Sequence, residues 1–576
     1  MNQTHQVQPF FITPFRYLIK SVPVFAAKSC LMAIAVFSLA LPALALDGQI
    51  GIHDPATVTE CNGKYFTWGT MGSALVSDDG WTWRSGARAG ASGMAPDVIH
   101  VGDTYYIYAA SNPGGQPHSR IVMAYSKSLD PESPDYGWQN GGIVNETDGV
   151  EFCNGIDPGL FYDTTTKTMW MTFGSYFGYT RVAELDPKTG KRVDNLFTNI
   201  AINCEATTII YHDGYYYLFG THGSCCRSTD SGYNIRVGRS KKVTGPYIDH
   251  TGVDMIKGGG KLFLGAGGRY VGAGHFGLID EGNGVQKFSM HWEADMDRGN
   301  QSVLDIRPLV WKDGWPVAGE KLKEGTYEIE SVRQGTALEL AVEGVAVGGG
   351  RGGRGGGGRG GAGMGGNRGA GMGGNRGGRG GAQGTVPGAG NFAGAIGGQP
   401  NAGGFGGRGA GAGGFGGGRG GAGGGFGGGG GMFGGSGRGA IPDQNAADVS
   451  ANWPVGNIDT RLSGYMCQAQ QKWTISPAEG KGGYLGAPYY KILIAGTDRA
   501  LAATEDAELV TLPAYTGGEE QLWRIDLLND GTWRIMPKVV PGSKEPMALS
   551  AIGFSFATLE KFDPNSDKQR WNFKTP

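Results

Sequence analysis

Three acids stand in settings unlike a solvated turn. Asp54 lies in Gly51-Ile52-His53-Asp54-Pro55. Asp157 lies in Asn154-Gly155-Ile156-Asp157-Pro158-Gly159, and Glu205 lies in Asn203-Cys204-Glu205-Ala206-Thr207. Each has a small or apolar neighbour, in contrast to Asp78-Asp79 or Asp186. An Asp-Pro pair alone is more often a turn than a catalyst. Three acids converging on one mouth are another matter, because they repel one another and raise at least one pKa. That split suits glycoside hydrolysis, in which one protonated acid serves the leaving oxygen and one ionised carboxylate serves a water. By itself, His275 in Gly272-Ala273-Gly274-His275 reads as a satisfied structural histidine.

The acids need a frame that brings distant segments together. From Ile50 to about Glu320 short aromatic and β-branched strings recur. They are Lys64–Trp68, Thr104–Tyr108, Thr168–Phe173, Tyr215–Phe219 and Lys287–Trp292. Most follow a turn signal such as Asn62-Gly63, Gly102-Asp103 or Asp213-Gly214. No amphipathic helix pattern appears. The repeat of roughly 54 residues suits propeller blades of four antiparallel strands. A sandwich or a β-helix is the alternative, although a β-helix wants shorter and more regular repeats. A propeller carries function at the mouth of its channel, on its innermost strands.

The short motifs of this region resemble glycoside hydrolase family 43, and within it the endo-1,5-α-L-arabinanases. They run in order from His53-Asp54-Pro55 through Met94-Ala95-Pro96-Asp97-Val98, Gly155-Ile156-Asp157-Pro158 and Phe173-Gly174-Ser175. Glu205, Cys225-Cys226 with Ser231-Gly232-Tyr233, Gly238-Arg239-Ser240, Thr244-Gly245-Pro246-Tyr247, Gly272-Ala273-Gly274-His275, Ile306-Arg307-Pro308-Leu309 and Gly314-Trp315-Pro316 follow. The resemblance implies a five-bladed β-propeller over 46–321 and an inverting mechanism. It implies Asp54 as general base, Glu205 as general acid, and Asp157 as the group that orients the acid and tunes its pKa. Inverting enzymes hold base and acid roughly 6.5–9.5 Å apart to admit a water. His275 is implied to hold one hydrated calcium or sodium ion near the acids, with no organic cofactor. Two departures from the pattern are Ala273, where relatives often carry Pro, and the polar Ala206-Thr207-Thr208 after Glu205.

Sugar rings stack on aromatics, so Trp68, Trp83, Tyr176, Phe177 and Phe276 are candidate platforms. Asp97, Asn154 and Ser175 are the polar substrate-binding candidates. The expected activity is cleavage of internal α-1,5-L-arabinofuranosidic bonds of arabinan. The rivals are an exo-acting α-L-arabinofuranosidase or β-xylosidase, and a sugar-binding propeller without catalysis.

Three Gln-x-Trp triplets, ending at Trp473, Trp523 and Trp571, mark a second region. Their spacing of about 50 residues argues for a threefold β architecture. It resembles the ricin-B-type β-trefoil, here expected over 322–576. The triplet speaks for fold; a polysaccharide ligand is the accompanying expectation.

Of 110 Gly in 576 residues, 53 fall between 348 and 440, with nine Arg and no Lys, Asp or Glu. The formal charge of −2 therefore hides a basic insertion in an acidic protein. Collagen is excluded, because the Gly spacing has no period of three. The expected state is a disordered Gly/Arg-rich insertion inside the first trefoil repeat. Nucleic acid is not an expected partner.

Residues 1–45 read as a signal peptide. Arg16, Lys20 and Lys28 flank an apolar run from Cys30 to Leu41, and Ala43-Leu44-Ala45 offers a cleavage site. No later apolar run reaches the ~20 residues of a membrane span. A secreted protein, extracellular or periplasmic, is expected, with no stable span after cleavage. Six Cys then remain, and an even count permits disulfides whose pairing the sequence leaves open.

Overall fold

A computed structural model of the chain describes residues 45–111, 118–150, 152–342 and 450–576. The leader expected over 1–45, save its last residue, and the insertion expected over 348–440 lie outside them. The described residues are all-β, and their helix is confined to short 3-10 turns.

Five antiparallel sheets follow one another along the chain and form a five-bladed propeller. Their first strands are Thr59–Cys61, Met94–Val101, Gly159–Asp163, Glu205–His212 and Tyr270–Gly282. These first strands pack against one another and line the centre. Hairpins with Asn-Gly or Asp-Gly at both left-handed positions join the strands. Examples are Asn62-Gly63 (φ 55° and 76°), Asp213-Gly214 (46° and 77°) and Asp313-Gly314 (53° and 71°). Such turns match the twist of the strands they connect. The centre is tight: a Cβ on Gly159 would sit 2.0 Å from the Thr207 carbonyl oxygen of the next blade.

The ring closes through its N-terminal segment. Asp47–Gly48 runs parallel to the outer strand Thr82–Ser85 of the first blade. A few residues on, the Ile50 carbonyl accepts from Leu304 N–H at 2.8 Å, and Ile52 N–H donates to the Ser302 carbonyl at 3.2 Å, both in the fifth blade. One bend recurs at the head of every blade. Asp54, Ala95, Asp157, Ala206 and His275 all have positive φ, between 46° and 62°. L-residues enter this region only at a cost.

The C-terminal residues build a second body. Gly325–Ser331, Trp473–Pro477, Tyr490–Ile494, Trp523–Leu527, Trp533–Pro537 and Trp571–Lys574 pair in a closed cycle. Three hairpins accompany this barrel: Ala337–Leu340 with Ile458–Ser463, Ala500–Ala503 with Leu509–Leu512, and Met547–Ile552 with Phe556–Lys561. The Gln-x-Trp triplets explain the threefold repeat. Gln471 accepts from Met466 N–H and donates to the Gly464 carbonyl; Gln521 does so with Thr516 and Ala514, and Gln569 with Asp563 and Lys561. Trp473, Trp523 and Trp571 are fully buried and donate to the Leu338, Leu501 and Leu549 carbonyls. This β-rich body is consistent with the trefoil expectation. The segment 343–449 joins the two strands of the first hairpin.

Propeller and barrel meet over an ionic core. Lys287 of the fifth blade reaches Glu281 at 2.8 Å, Asp526 at 3.3 Å and the Leu485 carbonyl at 2.6 Å. Arg524 bridges Glu281 and Asp526, both at 2.7 Å, and Arg534 adds a bond to Asp526 at 2.5 Å. Burial would push Asp526 up, but the three cations hold it far below the usual carboxylate range. Leu485 completes the apolar core beside Trp81 and Ile306.

Candidate active site

The bend at the head of each blade turns its side chains toward one mouth. Asp54 sits there with Oδ2 at 2.8 Å from His53 Nδ1 and accepting from Thr70 Oγ1 at 2.6 Å. Its Oδ1 lies 3.5 Å from His275 Nδ1. Burial alone would raise its pKa. The histidines outweigh burial and hold Asp54 well below the ordinary value, so it stays ionised.

Glu205 has the opposite setting. Ser175 Oγ donates to one carboxylate oxygen and the Tyr233 hydroxyl to the other. Burial nevertheless raises its pKa, and the charge of Asp54 adds to that rise. Asp157 is raised further, first by burial and then by Glu205. Its Oδ2 accepts from Ala206 N–H at 3.1 Å, which ties it to the strand that begins with Glu205. The mouth thus holds one carboxylate kept charged and two driven toward the protonated form.

Four of the substrate-binding expectations land elsewhere. Trp68 is only 4% exposed; its Nε1 donates to the Ala87 carbonyl and Trp138 meets its ring edge-on, so no face is left for a sugar. Phe276 is stacked on Phe219 at 3.9 Å inside the core. Asp97 accepts from Thr57 and Val98 N–H on one oxygen and from Leu160 N–H on the other, which ties together the first three blades. Asn154 is fully buried, and its Oδ1 accepts from Ser175 N–H at 2.7 Å. It orients Ser175, which in turn holds Glu205. Trp83 is also core, whereas Tyr176 and Phe177 are exposed beside Ser175.

Several participants were given no role of their own from the sequence. His53 bridges Asp54 and Glu293, with Nε2 at 2.9 Å from Glu293 Oε1. Burial opposes its charge, yet the two carboxylates raise it to about 10. Glu293, held at about 2 despite burial, also accepts from Cys226 N–H at 2.9 Å. His291 accepts from Asp54 N–H at 3.2 Å. Thr70 and Tyr233 complete the ring of donors. Among the described residues one disulfide forms, between the adjacent Cys225 and Cys226.

His275 has its Nδ1 toward Asp54, and among the described residues no hydrogen bond or ion pair engages its Nε2. Among the described residues no group of three donor side chains includes it. A cation there would take its ligands chiefly from water, which fits a hard, hydrated ion. Burial lowers its pKa, but Asp54 and Asp157 outweigh that and raise it. A positive charge at this place therefore suits the acids around it.

The sequence profile of glycosyl hydrolases family 43 matches residues 65–316. The extracellular exo-α-(1→5)-L-arabinofuranosidase ArbA of Cellvibrio japonicus is 33% identical over 307 residues, which cover 47% of this chain and 88% of that protein. The chain belongs to glycosyl hydrolase family 43. It is therefore a glycoside hydrolase, and the mouth described above is the candidate site for that chemistry. Another relative of this family 43 enzyme is the extracellular endo-α-(1→5)-L-arabinanase 1 of Bacillus subtilis, 29% identical across 50% of the chain and 95% of the relative. Among solved structures, a Cellvibrio cellulosa α-L-arabinanase complexed with arabinohexaose is similar, at 31% identity and a TM-score of 0.44. It covers 47% of this chain and 96% of its own.

Proposed function

We propose that the chain is a secreted arabinanase that cleaves internal α-1,5-L-arabinofuranosidic bonds with inversion at the anomeric carbon. The observation that carries this reading is the opposed setting of Asp54 and Glu205. Asp54, kept ionised by His53, Thr70 and His275, is the general base that takes a proton from water. Glu205, kept toward its protonated form, is the general acid that protonates the departing sugar oxygen. Asp157 holds the strand of Glu205 through Ala206 N–H, and so orients the acid and tunes its pKa. Ser175 positions Glu205 and is the remaining polar substrate contact. Tyr176 and Phe177 offer rings to the sugars. His275 would hold a hydrated calcium or sodium ion, which supplies positive charge beside the acids.

The names of the relatives support arabinan as substrate, and their description as extracellular supports secretion. We place the catalytic domain at 46–321 and a ricin-B-like β-trefoil at 322–576, with a polysaccharide as its ligand. Exo action is the second reading, favoured by the 33% identity to an exo-acting relative. Digestion of linear arabinan decides between them. Endo action releases a ladder of oligomers at early times, whereas exo action releases one short product throughout. NMR of the first-formed product should show the inverted anomer; the retained anomer would overturn the roles of Asp54 and Glu205.

A further inference from the structure

Beside the base lies a second cluster, which shares only His53 with the hydrolytic site. His53, Cys225, Cys226 and Glu293 each offer one ligand atom, and these atoms all lie within 4.8 Å of one another. A tetrahedral zinc with Zn–S of ~2.3 Å and Zn–N of ~2.0 Å needs ligands roughly 3.3–3.8 Å apart, so small side-chain adjustments close the set. The four donors come from three separate segments. Glu293 is already oriented by Cys226 N–H at 2.9 Å and by His53 Nε2 at 2.9 Å. Cys226 is exposed and Cys225 half-buried, so an ion has a way in. Two thiolates, an imidazole and a carboxylate form a soft set that selects a thiophilic divalent cation over calcium or magnesium.

We propose that the protein with its Cys225–Cys226 bond reduced binds one thiophilic divalent cation through Cys225, Cys226, His53 and Glu293, and that this ion switches off hydrolysis. Reduction is by a dithiol. The Cys225–Cys226 bond breaks, each Sγ takes a proton, and the reductant's two thiols become a disulfide. The cation then displaces both thiol protons and the Nε2 proton of the His53 imidazolium, and bonds the two sulfurs, that nitrogen and the Glu293 carboxylate. His53 cannot keep Nε2 on both Glu293 and the metal, so its ring shifts. Its other nitrogen, 2.8 Å from Asp54 Oδ2, shifts with it. The metal site stands on geometry alone; its effect on turnover rests on Asp54 being the base.

The test uses the full chain in two states, oxidised and dithiol-reduced, titrated with cadmium chloride after the reductant is removed under argon. The reduced protein is expected to take up one extra equivalent of Cd²⁺, with a thiolate-to-metal charge-transfer band in the ultraviolet. Its turnover should fall about tenfold or more, since a positioned base contributes ~10²–10⁴, and a chelator should restore it. The oxidised protein keeps its other cysteines and serves as its own control. The double variant Cys225→Ser, Cys226→Ser should lack the band in either state. Equal uptake by both states, or none by the reduced one, overturns the site. Uptake with unchanged turnover overturns the switch. The base assignment is read separately from Asp54→Asn, so the two failures are not confused.

Discussion

The propeller mouth and the junction with the barrel both bury ionisable side chains, with opposite balance. At the junction Glu281 and Asp526 face Lys287, Arg524 and Arg534, and both acids are held below their ordinary range. At the mouth Asp157 and Glu205 have His275 nearby but also each other and Asp54, and both are raised. Burial penalises every one of these charges; the number and placement of partners decides its sign. A compensated cluster keeps its acids ionised, whereas an under-compensated one drives them toward the protonated form.

Substitutions can break this contrast. Glu205→Gln should lower kcat on linear arabinan by ~10²–10⁴ while the folded state persists; near-native turnover would remove Glu205 from the role of acid. Asp526→Asn should leave turnover per folded molecule unchanged and destabilise the chain by about 3–5 kcal/mol, since it strands buried cations. Urea unfolding followed by tryptophan fluorescence measures it. The pH dependence sharpens the same contrast. In the proposed mechanism Glu205 acts protonated, and its pKa is raised, so turnover should fall as pH rises through that value. As the proposed base, Asp54 would act ionised, and its pKa lies low, so turnover should persist on the acid side. His53→Gln removes a cation beside Asp54 and should move the acid limb of the pH profile upward.

The smallest effect carries the clearest sign. A carboxyl raised in the folded state costs stability above its unfolded pKa of ~3.9, because folding then holds a proton that the unfolded chain releases. Asp157→Asn should therefore raise Tm by about 1–3 °C at pH 7, and the gain should disappear near pH 3. For Glu281 and Asp526, both lowered, the stabilisation is present above ~4.3 and is lost as pH falls through their folded values. Calorimetry at the two pH values reads both.

The repeat of strands and turns was legible because hairpin chemistry is local: Asn62-Gly63 or Asp213-Gly214 makes its own turn. The three acids were legible because each stands in a short distinctive string. Their keepers were not. His53 meets Glu293 across 240 residues of sequence and Thr57 meets Asp97 across 40, so only the closed ring brings them together. Aromatic side chains misled for another reason. A Trp in an inter-blade core and a Trp on a sugar platform are the same residue type, and Trp68 and Phe276 proved to be of the first kind. Asp97 shows that a carboxylate near a mouth can serve chiefly backbone amides.

The bend shared by Asp54, Ala95, Asp157, Ala206 and His275 gives the propeller five interchangeable seats around one opening. Three seats hold an ionisable side chain and two hold alanine, with Glu205 borrowing the position just before one of them. Because the backbone at each seat is already shaped, a new reactive group can be installed by a single residue change without redrawing the scaffold. An enzyme equipped this way can change its chemistry one blade at a time.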